Sequence, residues 1–257
     1  LTPKGKGWLL GDFHIHTRWS DGHLSIREVV DLYGSHGFDV IAITDHVFDA
    51  YTLEQRRSRG EPVGLLPGIF NSYLKAVREE ARRAWREYRM LVLPGWEITN
   101  DRGCYHIVGI DVKDFIDPDL TVEEIVEGLR QQGALAIAAH PGRRSFEKGP
   151  TFSCQHLKEN MEQYRHLFDA WEIANRYDFF YDIWEKGLKF VAGSDFHREE
   201  HLNAWKTLIK TEKDPEGIKV AIRENSQVSA YLSRPAPEVK PRPGRLIKFP
   251  SPSAVSV

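Results

Sequence analysis

The chain has 257 residues, long enough for one large core or two small ones. Its charged residues, 28% of the total, nearly cancel to a net −2, so bulk electrostatics offers no argument for nucleic acid or a membrane surface. No apolar run approaches the ~20 residues of a transmembrane helix, and Cys104 and Cys154 make no disulfide framework, which points to a reducing cytoplasm.

The opening Leu1-Thr-Pro-Lys-Gly-Lys6 does not read as a signal peptide, although a start at Leu1 leaves a removed leader open. Trp8-Leu9-Leu10 then reads as a short strand running out into Asp12-Phe-His-Ile-His16. His14 and His16 are two apart, so on a strand both imidazoles point to one side. A single histidine at a strand end is usually a hydrogen-bonded, partly buried residue, but two that face together make half of a metal site. Ser25-Ile-Arg-Glu28 is a capping box, with Ile26, Val29, Val30 and Tyr33 at helical spacing behind it and Gly37 to end the helix. Phe38 to Thr44 is a near-continuous apolar run, as expected of a strand covered on both faces, and it ends in Asp45-His46.

Residues 47–71 read as a long irregular loop beside the site, placed to serve as a lid. A helix follows from Ser72 to Tyr88, whose alternating Arg and Glu residues read as a solvated face with local ion pairs. Strands are expected at Met90–Glu97, ending in a carboxylate, and at His106–Val112, starting with a histidine. A helix capped by Thr121 and Glu124 and closed by Gly133 leads to Ala134–Ala139, which ends in His140-Pro-Gly-Arg143. A weaker helical stretch at 155–166 precedes a strand at Phe168–Ala174, which ends in Asn175-Arg176. A helix at 178–186 leads to Leu188–Gly193, which ends in Ser194-Asp195-Phe-His197. Ala204 to Thr211 reads as a further strand and Pro215 to Glu224 as a last amphipathic helix; from about 236 to 257 the sequence is too proline-rich to pack and reads as a tail or linker.

Strands alternating with helices argue for a parallel α/β sheet, and ligand-type residues follow most of the strands. In a closed barrel those strand ends meet on one rim; in an open sheet they would be strung along an edge. The expected fold is therefore a seven-stranded TIM-like (β/α)7 barrel over residues 1–235. The rim set is His14, His16, Asp21, Asp45, His46, Glu97, His106, His140, Asp195 and His197. It exceeds what one ion can use, which implies two or three divalent ions with Glu97 or Asp195 able to bridge. The shell suits zinc, manganese or iron without choosing among them. Cys104, near His106, reads as a buried inert thiol. His23, His36, His156, His166 and His201 read as surface or satisfied residues.

In this order His14-Ile-His16, Asp21-Gly22, Thr44-Asp45-His46, Glu97, His106, His140-Pro141 and Asp195-Phe196-His197 resemble the polymerase and histidinol phosphatase (PHP) family over roughly residues 8–232. The resemblance implies a distorted seven-stranded barrel with a trinuclear metal site. His14, His16, Glu97 and Asp195 would hold one ion, and Glu97 would bridge to a second held by His106 and His140. Asp21, His46 and His197 would hold the third, although some members carry histidine where Asp21 stands. Asp45 would orient a ligand from behind. The short connection between His106 and His140 leaves no room for an inserted domain there, and these residues include no polymerase region that would support proofreading in cis.

The expected chemistry is hydrolysis of a phosphate ester, a small phosphorylated molecule first of all, by a metal-bridged hydroxide, with Glu97 and Asp195 in the catalytic set. Arg143 and Arg176 are the candidate cations for the phosphoryl oxygens, because an arginine fork matches phosphate; a surface role is the alternative for each. A phosphodiesterase or 3′–5′ exonuclease acting on nucleotides or oligonucleotides is the second reading, with Trp19, Tyr105 and Tyr177 as candidate stacking rings. A dinuclear amidohydrolase ranks below both, because it would leave Asp21, His46 and His197 without a purpose.

Overall fold

Among the described residues, thirteen strands and eight α-helices follow from local signals that mostly match the sequence. The computed structural model describes residues 7–145 and 151–232, so the proline-rich segment expected from 236 onward lies outside the described residues. In chain order the elements begin with β1 (Trp8–Asp12), α1 (Ile26–Ser35), β2 (Val40–Ile43), β3 (His46–Phe48), α2 (Ala50–Ser58), α3 (Pro67–Tyr88) and β4 (Leu91–Asn100). They continue with β5 (Tyr105–Ile110), α4 (Val122–Gln132), β6 (Leu135–Ala138), β7 (Arg143–Ser145), β8 (Thr151–Ser153), α5 (Gln155–Glu159) and α6 (Met161–Tyr164). The last are β9 (Ala170–Asn175), β10 (Asp178–Phe179), α7 (Tyr181–Glu185), β11 (Phe190–Gly193), β12 (Trp205–Lys210), α8 (Pro215–Glu224) and β13 (Val228–Leu232). Both capping boxes form: Ser25 accepts from the amide of Glu28, and Thr121 from that of Glu124.

The main sheet is mixed α/β in its connections and runs β10-β9-β6-β5-β4-β2-β1-β12-β13, with β11 paired to β9 and β3 to β4. It curls, because the chain beyond β1 meets the chain beyond β11. The amide of His16 donates to the Phe196 carbonyl at 2.8 Å and that of Phe196 to the His14 carbonyl at 3.0 Å. This curl is consistent with a TIM-like barrel.

The sheet is not wholly parallel, as the alternation of strands and helices suggested. β5 runs antiparallel to both β4 and β6. Only the turn Asp101–Cys104 joins β4 to β5, and so short a connection returns the chain antiparallel, whereas a parallel crossover needs a dozen residues or more. The reversal places the start of β5 at the same end as the finish of β4, with His106 opposite Thr99. β12 is likewise antiparallel to β1.

The segment 47–71 is not an irregular loop. His46–Phe48 pairs in parallel with Glu97–Thr99, the Asp49 carboxylate caps α2 through the amides of Tyr51 and Thr52, and α3 begins at Pro67. Helix α2 was hidden because it carries no apolar stripe: Thr52 is its one buried residue. The stretch at 155–166 is broken into α5 and α6 at Asn160, and the helix expected at 178–186 is confined to Tyr181–Glu185.

Alternate residues of the strands enter two apolar layers. Ile41, Ile43, Ala136 and Ala138 pack with α1, α3 and α4, while Val40, Ala42, Leu135 and Ile137 pack on the other face with Ile218 and Ile222 of α8. Asp12 and Lys206, both fully buried, pair at 3.3 Å, and Asp12 also accepts from the Tyr33 hydroxyl and the Ser194 amide. A buried charge is tolerated when paired and hydrogen-bonded in this way. Among the described residues no helix is long and apolar enough to cross a membrane.

Candidate metal centre

The ends of β1, β4, β6 and β11, the start of β5 and the short strand β3 deliver nearly every rim residue expected from the sequence to one cluster. Glu97, 1% exposed, is its hub. Its Oε1 lies 3.0 Å from His106 Nδ1 and 3.2 Å from His140 Nε2. Its Oε2 lies 3.3 Å from His14 Nε2, 3.4 Å from His16 Nε2 and 2.9 Å from His46 Nδ1. Asp195 Oδ1 is 3.2 Å from His16 Nε2 and 3.4 Å from His197 Nδ1. Asp21 Oδ1 is 3.4 Å from His46 Nε2 and 3.3 Å from His197 Nε2.

Donor atoms lie within 4.8 Å of one another in four groups: His14, His16 and Asp195; His106, His140 and Cys154; His16, Asp21, His46 and His197; and His14, His140 and Glu172. Backbone turns aim several of these side chains inward. His140, Asp195 and Arg176 all adopt left-handed backbone angles, with φ of 25°, 47° and 50°. Such angles cost energy in residues with a Cβ and cluster at functional sites.

The donor set fits divalent cations. His14 Nε2, both ring nitrogens of His16 and Asp21 Oδ1 are buried without a hydrogen-bond partner. Buried polar atoms are normally paired, so orphan ring nitrogens converging beside carboxylates mark a cation site. Protonation favours metal binding at the carboxylates and at His16 and His140. Burial opposes charge on Glu97, but the imidazoles of His14, His46 and His106 outweigh it and hold its pKa well below the carboxylate range. Asp195 is held down likewise against burial, chiefly by Arg176 and His14. Burial and the neighbouring His46 and His197 push His16 well below its usual value, and burial with the charge of Arg143 brings His140 to about 4. Burial is overcome at His106, where Glu97 and Asp101 raise the pKa to about 10. Ionised carboxylates and neutral imidazoles are the forms that bind metal, so His14, His46 and His106, whose pKa values the neighbouring carboxylates raise, would release protons to an incoming ion.

Among the described residues, the Asp45 carboxylate bonds only to groups of Thr17 and Ser20. It accepts from the Thr17 amide (2.7 Å), the Thr17 hydroxyl (2.7 Å) and the Ser20 hydroxyl (2.6 Å), so it anchors the turn that carries Asp21. Arg143 and Arg176 both reach Asp195 Oδ2, Arg176 at 3.2 Å. Gly142, with φ of 75°, makes the turn that brings Arg143 back over the rim.

Four residues of the site went unseen in the sequence. Glu172 lies in an apolar strand, where a lone buried carboxylate was the available signal. Arg56 reaches Asp21 Oδ2 at 3.2 Å from α2, with its guanidinium over the Phe48 ring. Asp101 reaches His106 Nε2 at 3.2 Å. Cys104, expected to be buried, is exposed; Cys154 is the buried thiol, 3.5 Å from His140 Nδ1. The turn at Asp101–Cys104 leaves Cys104 at its tip, away from apolar cover. His23, His36 and His166 are exposed, His156 bonds the Tyr164 hydroxyl, and His201 is buried and accepts from the His197 amide. Of the three candidate stacking rings, Tyr105 is buried and Trp19 partly buried against Tyr73, while Tyr177 is 63% exposed.

No protein-family model matches the chain. In sequence it is 25% identical over 217 residues to the DNA polymerase/3'-5' exonuclease PolX of Bacillus subtilis, covering 78% of this chain and 36% of that protein. An uncharacterized protein of Methanocaldococcus jannaschii is 28% identical over 141 residues, 51% of this chain and 66% of that one. The chain thus spans about a third of the first relative and just under two thirds of the second. Among solved structures, a two-domain protein of Bacteroides vulgatus containing a predicted PHP-like metal-dependent phosphoesterase superposes with a TM-score of 0.66 at 23% identity, over 91% of this chain and 68% of that one. PsfC of Pseudomonas syringae gives a TM-score of 0.57 at 16% identity, over 88% of this chain and 92% of its own. In motif order the chain resembles the PHP family, and its fold is similar to that of the Bacteroides vulgatus protein containing a predicted PHP-like metal-dependent phosphoesterase.

Proposed function

We propose that this protein is a metal-dependent phosphoesterase that hydrolyses a small phosphate monoester in a cytoplasmic setting. The observation that carries the reading is Glu97, one buried carboxylate in contact with five imidazoles drawn from all four donor groups. His14, His16, Glu97 and Asp195 would hold one divalent ion, Glu97, His106 and His140 a second, and Asp21, His46 and His197 a third. Zinc, manganese and iron all suit such a shell. Bound there, the ions would supply an acidified water and Lewis-acid stabilisation of phosphoryl charge. Glu97 and Asp195 set the spacing of the donor groups, and Asp45 keeps Asp21 in place by holding its turn.

Arg143 and Arg176 supply the cationic side. Both guanidiniums converge on Asp195, so a phosphoryl group seated there would meet two forks as negative charge builds on its oxygens. The same reading takes the curled sheet as a distorted seven-stranded barrel. Strands β11, β9, β6, β5, β4, β2 and β1 follow one another in pairing, and the Ile15–Phe196 bridge joins the two ends.

A second reading, a phosphodiesterase or 3′–5′ exonuclease on nucleotides or oligonucleotides, draws on the exposed Tyr177 ring next to Arg176 and on the likeness to a polymerase/exonuclease. One experiment addresses both. Protein purified without chelator is analysed for metals, reconstituted with each candidate ion, and assayed on sugar phosphates, nucleotides, histidinol phosphate and short oligonucleotides. Two or three ions per chain and turnover of a monoester are expected. Preference for oligonucleotides would install the second reading. A ceiling of one ion, or no turnover of any phosphoester by the loaded protein, would overturn the proposal.

A further inference from the structure

Glu172 stands in the middle of β9, 2% exposed, in a strand whose other residues are all buried. Its Oε1 lies 2.8 Å from His14 Nδ1. Its Oε2 accepts from the His140 amide at 2.8 Å and from the Asn175 side-chain amide at 2.6 Å. Each oxygen is therefore committed to the protein, and the two candidate ligands it touches, which form one donor group with it, are assigned above to different ions.

From these contacts we infer that Glu172 is a positioning residue, which fixes the His14 ring and the His140 backbone so that both imidazoles present Nε2 to the Glu97 hub. The inference rests on the phosphoesterase reading above. With Nδ1 engaged by Glu172, His14 is left with Nε2 facing Glu97 at 3.3 Å and Asp195 at 3.7 Å, and that nitrogen has no hydrogen-bond partner. A carboxylate on the far nitrogen selects the ring tautomer and strengthens the imidazole as a donor to metal. At His140 the same carboxylate holds the amide of a residue with φ of 25°, whose Nε2 stands 3.2 Å from Glu97. One side chain thus sets a ligand on each side of Glu97.

The surroundings are built for this contact. A Cβ on Gly193 of β11 would stand 2.7 Å from Glu172 Oε1, closer than such atoms approach, and a tight 3.0 Å from His14 Cβ. The pairing of β9 with β11 therefore leaves space for the Glu172–His14 pair only because residue 193 has no side chain. Direct coordination by Glu172 is disfavoured, because an ion there would have to displace the His14 Nδ1 contact or the two N–H donors on Oε2.

The test uses the full chain and reads metal binding as well as catalysis. Glu172→Gln and Gly193→Ala are compared with wild type by chelator competition for each ion, by the melting temperature of the metal-free protein, and by kcat and KM across a metal titration. The expected result is a ~10–100-fold weaker affinity for the ions nearest His14 and His140, with the ion of the Asp21 group retained. The metal-free melting temperature should stay close to wild type, and kcat should recover in excess metal. Gly193→Ala should reproduce the effect with the carboxylate intact, since its methyl would push Glu172 off His14. If Glu172→Gln does not fold, Gly193→Ala is read in the same way. Wild-type affinity for every ion in the folded variants would overturn the positioning role and leave the phosphoesterase reading standing. A wild-type protein that takes up one ion or none would instead sink that reading.

Discussion

The two ends of the sheet handle charge in opposite ways. At the end where β2 and β9 begin, each of three carboxylates meets a cation: Asp39 with Lys213 at 2.6 Å, Asp111 with Lys219 at 2.7 Å, which Glu216 also reaches, and Asp169 with Arg223 at 3.1 Å. Backbone donors complete the set, the Leu10 amide on Asp39 and the Ala136 amide on Asp169. At the other end one carboxylate, Glu97, is shared among five imidazoles, and buried ring nitrogens are left over. Pairing each carboxylate with an ammonium or guanidinium satisfies a charge set within the protein. Sharing leaves a set that only added cations complete. The contrast separates a scaffold end from a chemical end, and it is a statement about arrangement, since both ends draw on acidic and basic residues.

Removing the hub should break the contrast most severely. Glu97→Gln keeps the shape but not the charge that faces five imidazoles. Activity should fall to background, by at least the ~10–100-fold that loss of an outer partner of a metal site costs. Metal content should fall with it, while the metal-free protein melts near the wild-type temperature because Glu97 lies outside the apolar layers. Metal analysis, calorimetry and steady-state kinetics together check this; near wild-type turnover with metals retained would deny Glu97 its role.

A smaller effect is expected at the cationic edge of the same end. Arg143→Ala should retain its metals and lose about 1.5–3 kcal/mol of transition-state stabilisation, some ten- to hundredfold in kcat/KM. Arg143→Lys should restore part of that, since an ammonium does not reproduce the fork. Full efficiency in the alanine variant would move the role to Arg176.

The smallest effect belongs to the scaffold end. Arg223→Ala removes a pair whose arginine is more than a third exposed, so solvent screening limits its worth to about 0.2–1 kcal/mol of stability. Metal content and turnover should be unchanged. A loss of activity there, measured beside the melting temperature, would show that the two ends are coupled and that the contrast is too simple.

Much of the rim was legible because its signals are local. His14 and His16 share a side by strand alternation, Glu97 and Asp195 close apolar runs, and the Pro141-Gly142 turn carries Arg143 back toward Asp195. Arg56 and Asp101 were not legible, since each earns its place by reaching a residue from a separate segment or across a turn. Helix α2, which carries Arg56, gave no apolar stripe to read, so its existence was also hidden.

By itself the sequence determined where apolar runs and caps would make strands and helices, and which donor atoms would be carried to the strand ends. Those outcomes depend on spacing of a few residues, which sterics and hydrophobic burial convert directly into structure. Only the tertiary structure decided that β5 reverses, which brings His106 to the rim beside Glu97, and that Glu172 stands behind His14 and His140. Strand direction and cross-strand contact depend on how segments far apart in the chain pair, and the curl of the sheet sets those distances.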